Sequence, residues 1–299
     1  MQSQALPPFQ SGHYHREDNV QLHYLFWPNP DSRSCCLLLH GFTNDAHIWD
    51  SFAAKLQKYH NVIAPDFRGH GDSEWDNMAR YTHDELVNDV YALMQQQDFQ
   101  QWHVIGHSLG ARVAMLMFAR KQLQPASFVI IDTGPEVRAV GVDKVRQDAQ
   151  NTPAYFSGIP EFEQYLSNIY MLAQPERIRQ MAHYGLKQDA RGNWIAKTDP
   201  AFTTALWKPD NYQGNSSDLR FPMHEELWLA LAKIQAPTLI LKGQASAILA
   251  RQTAEKMAYQ IMPNAQLEVI KRAGHALMVD NPDAFETTVE NFLRSSTNQ

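Results

Sequence analysis

The sequence is poor in cysteine. Its only two, Cys35 and Cys36, are adjacent in the apolar run CCLLL of the 299-residue chain. Neighbouring side chains on a strand point to opposite faces, so a disulfide between these two is not expected. We predict two buried thiols and a reducing compartment, and therefore a cytoplasmic location.

Long apolar runs and clusters of basic residues are also missing. No stretch approaches the roughly 18 apolar residues of a membrane-spanning helix, and the first residues lack the apolar segment of a signal peptide. The chain carries 26 Lys and Arg against 32 Asp and Glu, a formal charge of −6. This balance disfavours a nucleic-acid or membrane partner. We expect a small-molecule substrate as the partner and leave a homodimer open.

Patterns that hold metals or nucleotides are absent as well. The sequence has no C-x-x-C, no H-E-x-x-H and no P-loop spacing, and Gly69-His70-Gly71 lacks the third glycine of a dinucleotide loop. We therefore expect neither a metal nor a cofactor.

Short apolar runs alternate with segments of helical length. The runs are continuous rather than alternating, as in strands buried on both faces. This rhythm predicts an α/β fold with a mostly parallel, doubly wound sheet. The predicted strands are 19–27, 35–39, 61–65, 102–106, 128–132, 238–242 and 266–270, the first pairing antiparallel with residues 13–16; the predicted helices are 47–59, 82–97, 109–121, 251–261 and 283–294.

The rhythm stops between residues 135 and 226. This segment has no strand-like apolar run, only helical patterns broken by prolines, and it is rich in aromatic residues. We predict a helical cap over residues 135–226, inserted into a core domain formed by residues 1–134 and 227–299. Most of its aromatic residues are expected to form the cap's own core, with two or three facing a pocket.

The strongest chemical signal is Gly106-His107-Ser108-Leu109-Gly110. This G-x-S-x-G lies between a predicted strand and a predicted helix, where the glycines allow a tight turn that exposes Ser108 at the helix N-terminus. Free N–H groups and the helix dipole there favour a developing oxyanion. Ser108 is therefore the candidate nucleophile, and the backbone N–H of Leu109 a candidate oxyanion donor.

Two further loops end at the same edge of the predicted sheet. His40-Gly41-Phe42 follows the strand CCLLL, and the backbone N–H of Phe42 is the second candidate oxyanion donor; the alternative is that His40-Gly41 forms only a turn. His275 follows the last predicted strand, which makes it the candidate general base.

Taken together, these motifs resemble the α/β-hydrolase superfamily, in its cap-bearing branch. The matching pieces are His40-Gly41-Phe42, Asp66 to Ser73, Gly106 to Gly110, Asp132 to Glu136 and Ala273-Gly274-His275, in the order nucleophile, acid, histidine. The resemblance implies an α/β-hydrolase fold, a serine nucleophile, and a structural role for the Asp66 to Ser73 loop beside the site.

The chain departs from this family in its acid. The usual aspartate lies in the loop after the strand TLILK, around Ser246 or Ala247, but residues 244–253 contain neither Asp nor Glu. Asp132 is the candidate replacement because it ends the next strand after the nucleophile; some haloalkane dehalogenases resemble this arrangement. The alternatives are that Asp132 only organises the following turn, that Ser246 orients His275, or that an acid at Ala247 was removed. Asp280 is expected to cap the following helix.

The resemblance and the residues together predict a serine hydrolase. The expected substrate is a small, largely apolar carboxylic ester, thioester or lactone, cleaved through an acyl-enzyme at Ser108. Two alternatives stay open: a carbon–carbon bond hydrolase of the same fold, and a weakly active or non-catalytic ligand-binding relative.

Overall fold

The apolar runs of the sequence form one eight-stranded sheet. The structure, a computed structural model, describes residues 9–203 and 224–296. Across the sheet the strands follow the order β1-β2-β4-β3-β5-β6-β9-β10. Their bounds are β1 Gln10–His15, β2 Gln21–Trp27, β3 Ser34–Leu39, β4 Asn61–Pro65, β5 Gln101–His107, β6 Ser127–Ile131, β9 Thr238–Gly243 and β10 Ala265–Ile270.

Strand pairing confirms the mostly parallel sheet predicted from the sequence. β1 pairs antiparallel with β2, and β2 with β4, whereas the pairings among β4, β3, β5, β6, β9 and β10 are all parallel. The parallel strands therefore all end at one edge, which is where sheets of this kind bind ligands. β5 and β6 are neighbours in register, with His107 opposite Ile131, so the residues that follow them lie side by side.

Helices cover both faces of the sheet, as a doubly wound fold requires. Those of the core are α1 Asp50–Leu56, α2 His83–Gln95, α3 Leu109–Lys121, α7 His224–Lys233, α8 Arg251–Lys256, α9 Leu277–Asp280 and α10 Pro282–Ser296. α2, α3, α7 and α8 pack in one apolar cluster, and α1, α9 and α10 in the other. Cys35 and Cys36 are free, buried and divided between these two clusters, which agrees with their opposite orientation on β3.

A separate group of elements lies between β6 and α7. It comprises α4 Ala139–Gln150, α5 Ile159–Ile169, α6 Pro175–Tyr184, a short hairpin of β7 Leu186–Gln188 and β8 Trp194–Ala196, and a 3-10 turn at Pro200–Thr203. α5, α6 and β7 share a small apolar cluster of their own. We call this group the cap segment; residues 204–223 of the predicted cap, including Trp207, lie outside the described residues.

The cap segment is mostly helical, and it also contains a short hairpin that the sequence analysis did not predict. β7 and β8 have only three residues each, too few to form a recognisable apolar run. The turn between them is closed by the Asp189 carboxylate, which accepts hydrogen bonds from the backbone N–H groups of Arg191 and Asn193 at 2.8 and 2.9 Å. Gly192 adopts φ +83° in the same turn. Local turn chemistry of this kind favours a hairpin without help from a long strand.

Candidate active site

Ser108 lies at a strained turn between β5 and α3. Its backbone adopts φ +50° and ψ −113°, a conformation that side chains rarely take. The flanking glycines are required by close packing: a Cβ on Gly106 would lie 2.6 Å from the backbone of Ala111, and one on Gly110 would lie 2.4 Å from the carbonyl oxygen of Leu39. The structure thus gives Ser108 the local geometry expected of a nucleophile elbow.

The carboxylate of Asp132 lies beside the ring of His275. Nδ1 of His275 is 2.8 Å from Oδ2 of Asp132. An ionised carboxylate can only accept, so with the carboxylate ionised Nδ1 is the donor of this bond, and Nε2 of the neutral ring is then an acceptor. Asp132 is fully buried, whereas the His275 side chain is 24% exposed. The His275 ring is therefore oriented through Nδ1, while part of its side chain remains accessible.

Asp132 has two further donors, both from the loop that begins at the end of β9. The backbone N–H of Gly243 donates to Oδ1 at 2.9 Å, and the hydroxyl of Ser246 donates to Oδ2. The Ser246 hydroxyl thus contacts the Asp132 carboxylate, whereas the alternative drawn from the sequence had Ser246 orient His275 through a hydrogen bond or a water. The bonds of the Asp132 carboxylate go to His275 and to this loop, which disfavours the alternative that Asp132 only organises its own turn.

The loop that carries His275 is held from two sides. The ring of His107 donates from Nε2 to the carbonyl oxygen of His275 at 2.9 Å. Burial, and then the nearby His275, hold the pKa of His107 well below its usual range, so its ring stays neutral. The carboxylate of Asp280 accepts from the N–H of Gly274 at 2.7 Å, and burial raises the pKa of Asp280.

The expectation that Asp280 caps the following helix was wrong. Its carboxylate is engaged with Gly274, and Asn281 takes the capping position, with its side-chain oxygen accepting from Ala284 N–H at 3.4 Å. His107 was not singled out from the sequence. It occupies a variable position of the G-x-S-x-G pattern, so no sequence signal marks its contact with a loop 168 residues further along the chain.

The loop after β3 is tied to the core through His40. Its Nδ1 donates to the carbonyl oxygen of Gly41 at 2.8 Å, and its Nε2 accepts from the N–H of Phe67 at 3.0 Å. Burial lowers the pKa of His40, which keeps the ring neutral, as this pattern of one donor and one acceptor requires. His40 thus fixes the chain just before Phe42. Leu109, the other candidate oxyanion donor, is the first residue of α3.

A cavity of about 870 Å³ opens above these residues. Ser108, His275 and Phe42 line its floor, and residues of the cap segment line its opposite side. Four aromatic side chains of the cap segment contribute to this lining: Tyr155, Phe162, Tyr165 and Tyr170. The wall is otherwise largely apolar. A mostly apolar cavity with a few convergent polar groups is the usual form of a small-molecule site.

The charged groups of the cavity wall are largely paired. Among the described residues that line it, the lysines are Lys144, which forms an ion pair with Asp148, and Lys197, which lies 2.6 Å from Asp72. Asp45 also lines the cavity; burial, and then the charge of Asp66, raise the pKa of Asp45 to about 7.

Among the described residues, one group of potential metal ligands combines a residue of β2 with two from the loop after β4. Atoms of His23, Asp66 and Asp72 approach within 4.8 Å of one another. The Asp66 carboxylate is already hydrogen-bonded to His23 Nδ1 at 2.7 Å and to the N–H groups of Ala46 and Asp72 at 2.6 and 2.9 Å. Burial by itself would raise the pKa of Asp66, but the hydrogen bond and charge of His23, the charge of His40 and the bond from Asp72 N–H together lower that pKa to about 2. These contacts give Asp66 a structural role in its loop.

Residues 37–282 match the family model of the alpha/beta hydrolase fold. The match covers most of the chain, so the protein belongs to the alpha/beta hydrolase family. This agrees with the sheet topology and with the fold expected from the sequence motifs. In the described part of the chain, no helix has both the length and the apolar character needed to cross a membrane.

Related proteins of this family include several hydrolases. The chain is 24% identical over 258 residues to 2-(acetamidomethylene)succinate hydrolase of Mesorhizobium japonicum, which covers 86% of this chain and 87% of that protein. It is 21% identical over 263 residues to an esterase of Mycobacterium tuberculosis, covering 86% and 82%. An alpha/beta hydrolase from Novosphingobium aromaticivorans has a similar solved structure, with a TM-score of 0.80, 25% identity, and 96% and 98% of the two chains covered.

Proposed function

We propose that this protein is a serine hydrolase that cleaves a small, largely apolar carboxylic ester, thioester or lactone. The observation that carries the proposal is the hydrogen bond between His275 Nδ1 and Asp132 Oδ2 at the edge of the cavity that Ser108 also lines. It supplies an oriented imidazole in the wall of the cavity that the strained, partly exposed Ser108 also lines. We also propose that the protein is cytoplasmic and that its binding partner is a small-molecule substrate.

The chemistry follows from these positions. Ser108 Oγ attacks the substrate carbonyl carbon while Nε2 of His275 takes the hydroxyl proton, and Asp132 stabilises the resulting imidazolium. The backbone N–H groups of Phe42 and Leu109 hold the oxyanion. His275 then returns the proton to the leaving alcohol or thiol. A water molecule, deprotonated by His275, attacks the acyl-enzyme, which releases the carboxylic acid and restores the Ser108 hydroxyl.

The cavity wall supports the choice of substrate. Apolar and aromatic residues dominate it, and both lysines of its described lining are paired with carboxylates. Desolvating a substrate carboxylate there has a large cost unless a cation meets it. The relative named for a succinate substrate therefore supports a hydrolytic reaction here, but not the same substrate.

A fluorophosphonate probe tests the nucleophile. We expect it to label Ser108 covalently, with labelling and turnover of a short 4-nitrophenyl ester both lost in Ser108→Ala. The matched control is Ser127→Ala, which the probe should still label at Ser108. Ser127 is a buried serine at the start of β6, at the end of the strand far from Asp132. Ester turnover that survives in Ser108→Ala contradicts the acyl-enzyme mechanism, and a folded wild-type protein that does not label favours a ligand-binding relative.

A carbon–carbon bond hydrolase is the second candidate, because it uses the same serine, histidine and acid. The cavity of about 870 Å³ is large enough for a vinylogous diketone as well as an ester. Parallel assays with a 4-nitrophenyl ester panel and a vinylogous 1,5-diketone separate the two. A kcat/KM for the diketone above that for every ester identifies the carbon–carbon activity.

A further inference from the structure

Ser246 is buried in the loop where the family's usual acid is expected, and it contacts the acid that this chain has instead. Its side chain is 7% exposed, and its hydroxyl donates to Oδ2 of Asp132. The same Oδ2 accepts from His275 Nδ1 at 2.8 Å. One carboxylate oxygen thus joins the serine hydroxyl to the imidazole.

The direction of the Ser246 hydroxyl is fixed by its other contacts. Its oxygen accepts from the backbone N–H groups of Ile248 at 3.0 Å and Leu249 at 3.4 Å. A hydroxyl has one proton and two lone pairs. With both lone pairs facing amide donors, the proton is left to point at Asp132. The turn after β9 therefore holds the hydroxyl as an oriented donor rather than a free rotor.

The geometry points to Ser246 as the residue that positions the displaced acid: we propose that its hydroxyl fixes the Asp132 carboxylate in the plane that meets His275. This rests on the proposed function and deepens it. Gly243 N–H holds the other oxygen, Oδ1, at 2.9 Å. Gly243 and Ser246 thus hold the two oxygens independently of His275, and loss of the Ser246 donor leaves Oδ2 held only by the histidine that the carboxylate is to orient.

A hydroxyl at position 246 is compatible with Asp132, whereas a second carboxylate there is not. A carboxylate there would face that of Asp132 at contact distance, and two like charges so close would drive one of them to take up a proton. A hydroxyl supplies a proton instead. The Asp132 carboxylate and the Ser246 hydroxyl thus form an acceptor and donor pair. In our proposal the loop after β9 orients His275 indirectly, by holding Asp132.

Kinetics of Ser246→Ala, Ser246→Thr and the control Ser127→Ala test this role. Ser127 is a matched control because its buried hydroxyl bonds His103 Nδ1 at 2.8 Å at the far end of β6. Hydrogen bonds to charged groups are strong, so we expect Ser246→Ala to lower kcat by about 10- to 100-fold. KM should stay within about twofold of the wild type, since Ser246 makes none of the proposed substrate contacts.

Ser246→Thr, which keeps the hydroxyl, should recover most of the lost kcat, and Ser127→Ala should retain wild-type kcat. The proposal is overturned if Ser246→Ala keeps kcat within threefold, if Ser246→Thr is as slow as Ser246→Ala, or if Ser127→Ala loses as much. Thermal unfolding of each variant establishes that the kinetics refer to folded protein.

A second readout does not depend on turnover. The His275 Nδ1 proton bonded to a carboxylate gives a far-downfield proton NMR signal, assigned by its absence in His275→Gln. We expect this signal in the wild type and in Ser246→Thr, and its shift or broadening in Ser246→Ala; an unchanged signal in Ser246→Ala overturns the proposal. If the wild type shows the signal but neither labels nor hydrolyses esters, the proposed function fails while the role of Ser246 at Asp132 stands.

Discussion

Ser108 and Asp132 both have a positive backbone φ, which is uncommon for residues other than glycine. Both adopt φ +50°, and both directly follow adjacent strands, β5 and β6. A non-glycine residue in such a region costs about 1–3 kcal/mol and persists only where the surrounding structure enforces it. Here the backbone N–H groups of both residues are bonded, Ser108 to Ile131 at 3.0 Å and Asp132 to Leu241 at 2.8 Å. The sheet thus holds both side chains at its carboxyl edge.

At Asp132, removal of the charge has a large expected effect on rate. Asp132→Asn keeps the shape of the side chain but loses the anion that stabilises the imidazolium. We expect kcat to fall by about 10⁴-fold, as when the acid is lost from other triads. Steady-state kinetics of Asp132→Asn and the wild type on a 4-nitrophenyl ester measure this change in kcat. A fall of less than tenfold contradicts the role of Asp132 as the catalytic acid.

We expect Asp45 to make the stability of the protein depend on pH. Burial and the charge of Asp66 raise the pKa of Asp45 to about 7 in the folded state, against about 3.9 for an unfolded aspartate. A raised folded pKa means that the native state binds this proton more tightly. Its contribution to stability is therefore fully present below about pH 4 and lost as the pH rises through about 7.

Asp45→Asn tests this linkage, because an amide oxygen can still accept the bond from His47 N–H that the carboxylate now accepts at 2.9 Å. We expect the Tm of the variant, relative to the wild type, to rise between pH 4 and pH 8. Thermal unfolding across that range measures it, with the exposed Asp143→Asn as the control. A Tm difference that is constant with pH contradicts the assignment.

The packing of α3 against the end of β3 depends on a glycine in the helix. Gly110 lies in the first turn of α3, which approaches the end of β3 closely. Alanine is the better helix former by about 1 kcal/mol, so propensity alone favours Gly110→Ala. However, its Cβ would lie 2.4 Å from the Leu39 carbonyl oxygen, and backbone atoms do not move aside easily.

We therefore expect Gly110→Ala to destabilise the protein by about 1–2 kcal/mol, because overpacking outweighs the gain in helix propensity. It should also lower the rate of fluorophosphonate labelling, because α3 carries Ser108 at its N-terminus. Chemical denaturation and labelling kinetics measure the two effects. A variant as stable as the wild type refutes this account of the packing.

Elements buried on both faces were the most predictable from sequence. The continuous apolar runs of β3, β4, β5, β6 and β9 mark strands that have helices above and below, and the structure has them where the runs lie. The hairpin of β7 and β8 was missed, since its three-residue strands are stabilised by a turn and by neighbours rather than by their own apolar pattern. Local sequence carries little of that information.

At the scale of the whole molecule, we expect the cavity that the sheet edge and the cap segment line to select substrates by charge. Asp45 and Asp280 line it, and the lysines of its described lining are both paired with carboxylates. We therefore expect a carboxylate on the substrate to lose its hydration in the cavity without an unpaired lysine among the described lining residues to compensate it.

Two matched esters test this selectivity: 4-nitrophenyl hexanoate and the mono-4-nitrophenyl ester of adipate. They share a leaving group and a six-carbon acyl chain and differ in a terminal carboxylate. We expect kcat/KM for the adipate ester to be lower by at least about tenfold, with the difference reduced at high salt where exposed charges are screened. Equal values, after subtraction of the uncatalysed rates, contradict the proposed selectivity.

The sequence by itself determined the order of buried strands and helices and the identity of Ser108 and His275 as candidates, because local periodicity and short motifs carry that information. It did not decide whether Asp132, Ser246 or no residue at all takes the role of the catalytic acid. Only the tertiary structure brought Asp132, Ser246 and Gly243 together, since the pairing of β6 with β9 aligns two loops more than 100 residues apart in the chain. The contacts of His107 and Asp280 with the His275 loop likewise exist only after the strands are ordered in the sheet. Packing between distant segments, which no local pattern records, decided the geometry of the site.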